Sequence, residues 1–298
     1  MKMTITVPVN FNFWRTVYSH GWSSLPPFVV DKETARVYHV TGLSTDKKIV
    51  ITTSSLTRQR LLIDIQGYVT AKERNKVIAI VKSCFRIDED FTEFYSEARK
   101  YPRFRWIPKL GAGRMLRAQT VFEDIVKMIC TTNCSWALTE IMIGNLCTKL
   151  GVKVNDASHT FPSPDAIADC TEKYLRKEIR AGYRAPYLLD FARRIVKSNI
   201  EVEAWRTSTL PTEELFKEVR SVKGVGPYAA GNILKLLGRY DYLGIDSWCR
   251  KRFFELHKNG RTTSDNVIEK YYAPFGRWRG LFFWLDVTKH WYNKKFPF

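Results

Sequence analysis

The sequence predicts a mostly α fold with a small N-terminal antiparallel β-sheet, an α+β arrangement, on three observations. Up to about residue 70, β-branched and aromatic residues alternate or cluster in short runs between turn-prone stretches. From about Lys72 the apolar residues recur instead at helical spacings of three and four. Pro and Gly then punctuate the chain where helices should start and stop. With 298 residues, 45% hydrophobic and 14% aromatic, the chain can build the cores of two modest domains. The pattern divides it into a sheet domain over 1–75 and a helical domain over 76–298, with no internal repeat or low-complexity linker.

Each predicted element rests on its own run. "MTITVPVNFNF", "ARVYHVTGL", "KKIVITTS" and "RLLIDIQGYV" are the strand candidates, and antiparallel pairing is the economical arrangement for them. "KERNKVIAIVKSC" reads as the first helix, and "TVFEDIVKMICTT" sets Val121, Ile125, Met128 and Ile129 on one helical face. Further helices are predicted in "SWALTEIMIGNLCTKLG", "SPDAIADC", "EKYLRKEIRAG", "PYLLDFARRIVKS", "PTEELFKEVRSV", "PYAAGNILKLLG", "DSWCRKRFFELH" and "RGLFFWLDVTKHWY". Pro164 and Pro211 stand near helix starts, and Gly151, Gly182 and Gly238 at helix ends.

The 48 Lys and Arg outnumber the 30 Asp and Glu, a formal net charge of +18 spread almost evenly along the chain. A basic surface gains free energy by displacing counterions from a polyanion, so nucleic acid is the expected partner. Six cysteines (Cys84, Cys130, Cys134, Cys147, Cys170, Cys249) are scattered without a Cys-x-x-Cys pair. That distribution argues against a disulfide framework, a zinc ribbon or an iron-sulfur cluster, and the five dispersed histidines add no metal cluster. No apolar stretch approaches the roughly 20 residues of a membrane span, and the N-terminus lacks an apolar signal core. An intracellular protein with no membrane contact is expected.

One stretch carries chemistry. In "LFKEVRSVKGVGPYAAGNILKLLG" a helix ends near Ser221, a turn runs through Val222, Lys223, Gly224 and Gly226, and Pro227 opens the next helix where no amide donor is needed. The glycines let the backbone approach a ligand, and the amides of the second helix, with its dipole, favour an anion. The bland reading is a tight turn between two packed helices. Twenty residues after Gly226 comes Asp246, in "YDYLGIDSWCRK", behind the apolar Leu243 and Ile245 and ahead of the basic Arg250, Lys251 and Arg252. Alone, an aspartate at a helix start is read as an N-cap.

Hairpin, apolar helix and following aspartate together resemble the helix-hairpin-helix (HhH-GPD) DNA glycosylases, which excise damaged or mispaired bases. The resemblance implies that Asp246 supports cleavage of the N-glycosidic bond and that Val222, Lys223, Gly224, Gly226 and Arg250 hold DNA. "MICTTNCSWALTEIMIGNLCTKLG" is similar to the segment of 8-oxoguanine DNA glycosylases in which an asparagine fills the gap left by a flipped base, and maps that role to Asn133. "RAGYRAPYLLDFAR" is similar to the stretch whose tyrosine wedges into the duplex, and maps Tyr183 as the wedge with Arg184 beside it. The bland readings are an Asn cap and an ordinary tyrosine. The family further implies damaged double-stranded DNA as partner, a monomer, DNA-associated localisation, and no cofactor beyond a monovalent cation at the hairpin carbonyls.

Two departures bear on chemistry. Family members that also cut the backbone carry a Schiff-base lysine where this chain has Tyr228. A phenol forms no Schiff base, so a monofunctional enzyme is expected, with Lys223 a remote substitute. An aromatic after Gly-Pro is instead similar to the 3-methyladenine DNA glycosylases, where a ring can stack on a cationic alkylated purine. Tyr228 is the candidate base platform, with Trp248, Arg279, Phe283 and Trp284 completing the candidate pocket; core packing is the bland reading of most of the Trp278 to Trp284 run. Those C-terminal residues align loosely with the 8-oxoguanine enzymes, but no matching glutamine is present. The alternatives left open are a glycosylase for 8-oxoguanine or a deaminated purine, and a non-catalytic DNA-damage-binding module; an RNA-binding scaffold rests on charge and aromatics alone.

Overall fold

The computed structural model describes residues 1–44 and 46–293. Strands β1 (Lys2–Thr6), β2 (Phe28–Asp31), β3 (Arg36–Gly42), β4 (Lys48–Thr57) and β5 (Arg60–Ile65) form one antiparallel sheet in the order β1-β5-β4-β3-β2. Register pairs such as Met3 with Ile63 and Val37 with Thr53 turn Ile49, Ile51, Leu61, Ile63 and Ile65 to the buried face, as a period of two requires. β2 was absent from the expected strands: "FVVD" is too short to show alternation. The "NFNF" tail of the first expected strand leads instead through a turn into α1 (Phe13–Val17), which Asn12 caps by accepting from Arg15 N at 3.1 Å.

The remainder is helical: α2 (Ala71–Cys84), α3 (Thr92–Lys100), α4 (Trp106–Leu110), α5 (Val121–Thr131), α6 (Trp136–Leu150), α7 (Pro164–Ala168), α8 (Glu172–Lys177) and α9 (Ala185–Val196). A short hairpin, β6 (Lys153–Asn155) and β7 (Ser158–His159), separates α6 from α7. Then follow α10 (Thr212–Arg220), α11 (Pro227–Leu237), α12 (Ser247–His257), α13 (Asp265–Tyr272) and α14 (Arg279–Val287). The sequence reading missed α3, α4 and α13. α2 starts ahead of residue 75, since Thr70 and Glu73 close a capping box at its N-terminus.

A single hydrophobic cluster runs from the sheet through the helices. α5 lies at its centre, buried from Val121 to Cys130, which obliges its polar residues to find partners inside. Asp124 accepts from Trp22 Nε1 at 2.7 Å and Ala118 N at 2.9 Å, while Glu123 pairs with Lys127 at 2.7 Å. Glu203 receives the first two amides of α5, Val121 N and Phe122 N, at 3.0 Å each. The C-terminal end of α5 then delivers Thr131, Thr132 and Asn133 to the surface. Among the described residues no helix is long and apolar enough to cross a membrane.

Candidate active site

The second candidate helix begins where Gly226, in extended conformation, hands over to Pro227. No side chain caps α11, so its first amides are left to an external acceptor. The preceding turn is closed by Val225 N donating to Val222 O at 3.0 Å, with Val222 and Val225 buried as anchors. Gly224 has φ +86°, and a Cβ there would lie 2.7 Å from the Tyr187 ring. α9 supports the turn from behind: Arg194 donates to Ser221 O at 2.8 Å, and Asp190 pairs with Lys223 at 2.9 Å.

Asp246 sits across the cleft as the N-cap of α12, its Oδ1 accepting from Cys249 N at 2.6 Å. The capping expectation is therefore met, and the Tyr228 hydroxyl and the Cys249 thiol also approach the carboxylate. The backbone leading to it rests on α11, where Gly231 permits the approach: a Cβ at Gly231 would be 2.9 Å from Gly244 N. α11 also carries Tyr228, half-buried beside Asp246. Burial, and then the neighbouring Asp246 carboxylate, push the Tyr228 phenol well above its usual pKa, so it stays protonated at neutral pH.

On the facing rim, Tyr183 is 44% exposed and donates to Thr132 O at 3.1 Å. Asn133 follows with φ +47°, exposed at the tip of the turn between α5 and α6. It is not a cap: Ser135 caps α6, accepting from Leu138 N at 3.3 Å. Arg184 lies behind, buried, stacked on the Tyr183 ring at 4.4 Å and donating to Thr132 O.

These side chains line one cleft of about 900 Å³. It gathers Asp246, Tyr228, Asn133, Tyr183, Val222, Lys223, Gly224, Gly226 and Arg250, nine of the residues singled out from sequence. Arg250 reaches it while bonded to Asp265 in bidentate fashion at 2.6 and 2.8 Å. Thr131, Thr132, Cys134, Tyr187, Arg220 and Ile245 line it as well and were not expected. Tyr187, four residues after Tyr183, carried a legible signal, since such spacing puts two residues on one helical face.

Four candidate pocket residues do not line this cleft. Phe283 is fully buried against Tyr272, ring centroids 5.2 Å apart. Arg279, one turn earlier, turns to Asp241 O and the Tyr242 ring. Trp284 donates to Ser19 O at 3.0 Å, and Trp248 packs on Trp291 at 5.6 Å. Packing of α14 decides the placement of Arg279, Phe283 and Trp284, whereas Trp248, on α12, stays exposed.

A second, more apolar cleft of about 700 Å³ is lined by residues including Val40, Phe122, Phe161 and Ile200; of its three carboxylates, Glu123 and Glu203 are engaged in the contacts of α5, and Glu201 is exposed at its edge. Among the described residues no group of three or more His, Cys, Asp or Glu side chains could hold a metal ion.

In structure the chain is similar to the 3-methyladenine DNA-glycosylase from Archaeoglobus fulgidus, with a TM-score of 0.77, 19% identity, and 97% of this chain and 99% of that one covered. It is similar too to the 8-oxoguanine glycosylase/lyase of Clostridium acetobutylicum, at a TM-score of 0.74 and 22% identity over 96% and 95% of the two chains. At such identities the likeness shows the fold. In sequence it is 25% identical over 165 residues to the N-glycosylase/DNA lyase of Saccharomyces cerevisiae, covering 49% of this chain and 42% of that one. The chain spans less than half the length of the curated relatives it matches. The model of the HhH-GPD superfamily base excision DNA repair proteins matches residues 126–275, half of the chain and the part that holds the hairpin, Asn133, Tyr183 and Asp246, and the chain belongs to that family.

Proposed function

We propose that the protein is a monofunctional DNA glycosylase that draws a damaged purine, an alkylated one by preference, out of duplex DNA and hydrolyses its N-glycosidic bond. The observation that carries this reading is the meeting of Asp246 and Tyr228 in one cleft with the uncapped N-terminus of α11. The amides of α11 and the hairpin hold a phosphate, with Arg250 and Lys223 at the rim. Tyr183 fills the space beside the lesion and Asn133 meets the orphaned partner base. The hairpin carbonyls are donors of the type a monovalent cation takes; Ser221 O and Val222 O each accept one hydrogen bond already, so such an ion would use their second lone pairs and stiffen the turn.

In the chemical step water adds to C1′ as the C1′–N bond breaks. The bond's electron pair leaves with the base, and the water's proton passes to the Asp246 carboxylate and on to solvent. The same carboxylate stabilises the positive charge that develops on the sugar. Tyr228, a neutral phenol, offers its ring to the base and forms no covalent adduct. A cationic alkylated purine favours that ring and departs neutral without a general acid.

The test uses defined duplexes carrying an alkylated, an oxidised or a deaminated purine, with released base detected by mass spectrometry and half of each sample treated with hot alkali. Release from the alkylated duplex, with strand breaks only after alkali, is the expected result. Breaks without alkali overturn the monofunctional reading; release from another duplex alone reassigns the lesion. Tight binding to an abasic-site analogue with no release from any duplex leaves a damage-binding module.

Tyr183→Ala tests the wedge. The ring is exposed, so the fold should persist, while loss of a stacking surface costs about 1–3 kcal/mol, or roughly 5- to 150-fold. Single-turnover release from duplex substrate should fall by that factor, and release from the same lesion in single-stranded DNA should not.

A further inference from the structure

Lys235 is completely buried in α11, seven residues and two turns beyond Tyr228, hence on the same face of the helix. Its ammonium donates to Leu243 O, three residues before Asp246. A Cβ at Gly244 would sit 3.0 Å from Lys235 Nζ, so the turn leading to Asp246 lies directly on the ammonium. Among the described residues no carboxylate forms an ion pair with it. The charged or titratable groups that face it are Asp246 and Cys249 at the start of α12 and Glu269 of α13, with neutral His20 near from the N-terminal segment; Arg86 donates to the Lys235 carbonyl at 2.7 Å.

A buried, unpaired ammonium is costly, and a methionine of similar length would fill the same space without the cost. We propose that Lys235 is a positioning residue for Asp246: its ammonium pins the Leu243–Ile245 turn to α11 and holds the carboxylate at the cleft, at the expense of stability. The inference rests on the reading of Asp246 as the catalytic group.

Burial pushes the Lys235 ammonium down to about 8, and its ordinary value near 10.5 returns on unfolding. A depressed lysine destabilises the fold below pH 8, and the cost is relieved as pH rises from 8 towards 10.5. The same rise removes the charge that holds the turn. Stability and activity therefore move in opposite directions, which no simple packing role produces.

Lys235→Met is compared with the native chain and Asp246→Asn for melting temperature, affinity for a duplex carrying an abasic-site analogue, and single-turnover base release across pH 6 to 10. Expected for Lys235→Met are a melting temperature equal or higher at pH 7, affinity within about twofold, and release slower on the order of 10- to 100-fold, as for a displaced catalytic group. The native chain should lose rate above pH 8, and Lys235→Met should lack that alkaline fall. An unchanged rate and profile overturn the inference, as does a joint loss of melting temperature, affinity and rate. If Asp246→Asn also releases base at the native rate, it is the reading of Asp246 that has failed.

Discussion

Asp246→Asn is expected to lower base release by about 10²- to 10³-fold or more while leaving fold and DNA affinity nearly intact. The substitution separates the cap that the structure shows from the catalytic role proposed for this side chain. As N-cap it accepts from Cys249 N at 2.6 Å, and asparagine keeps an oxygen that caps as well as aspartate does. The negative charge is lost, and with it the stabilisation of a cationic sugar in a site where Tyr228 is neutral. Asp246→Ala removes both functions and should add a stability loss of about 1 kcal/mol. Single-turnover release and thermal melting of the three chains read the two effects independently. Native-rate release from Asp246→Asn would reduce Asp246 to a cap.

Gly224→Ala is expected to weaken binding to damaged and undamaged duplexes alike by roughly 10- to 100-fold. At φ +86° a residue with a Cβ incurs about 1–2 kcal/mol. The methyl would also stand 2.7 Å from the Tyr187 ring, which packs beneath the turn, so the hairpin must shift away from α9. Gly226→Ala is the control: φ is −81° and a Cβ there meets nothing within 4 Å, so the fold should be undisturbed. If the turn clamps a phosphate, that methyl intrudes on the ligand side, and Gly226→Ala weakens binding without lowering the melting temperature. Affinities measured from 50 to 200 mM salt supply the check. A lost phosphate contact lowers the slope of log K against log salt by about 0.9, and unchanged slopes in both variants would place the phosphates elsewhere.

Much of the site was legible because it is built from local signals. Gly224, Gly226 and Pro227 encode a turn and a helix start within four residues, and Asp246 encodes a cap within three. The substitution of Tyr228 for a lysine is visible as a letter. The C-terminal candidates lie outside this cleft for the complementary reason: Arg279, Phe283 and Trp284 are aromatic and basic enough to line a base pocket, but α14 turns them to the core, to Asp241 O and to Ser19 O. The two ends of those contacts lie up to 265 residues apart.

The sequence by itself determined the α+β class, the hairpin and its helix, and the chemistry types available at Asp246, Tyr228, Asn133 and Tyr183. Only the tertiary structure decided that those four share one cleft, that Ser135 rather than Asn133 caps α6, and that Lys235 stands buried behind Asp246. The reason is one of range. Turns, caps and periodicity depend on residues within about a helical turn, whereas the direction a side chain faces depends on which distant segments pack against it.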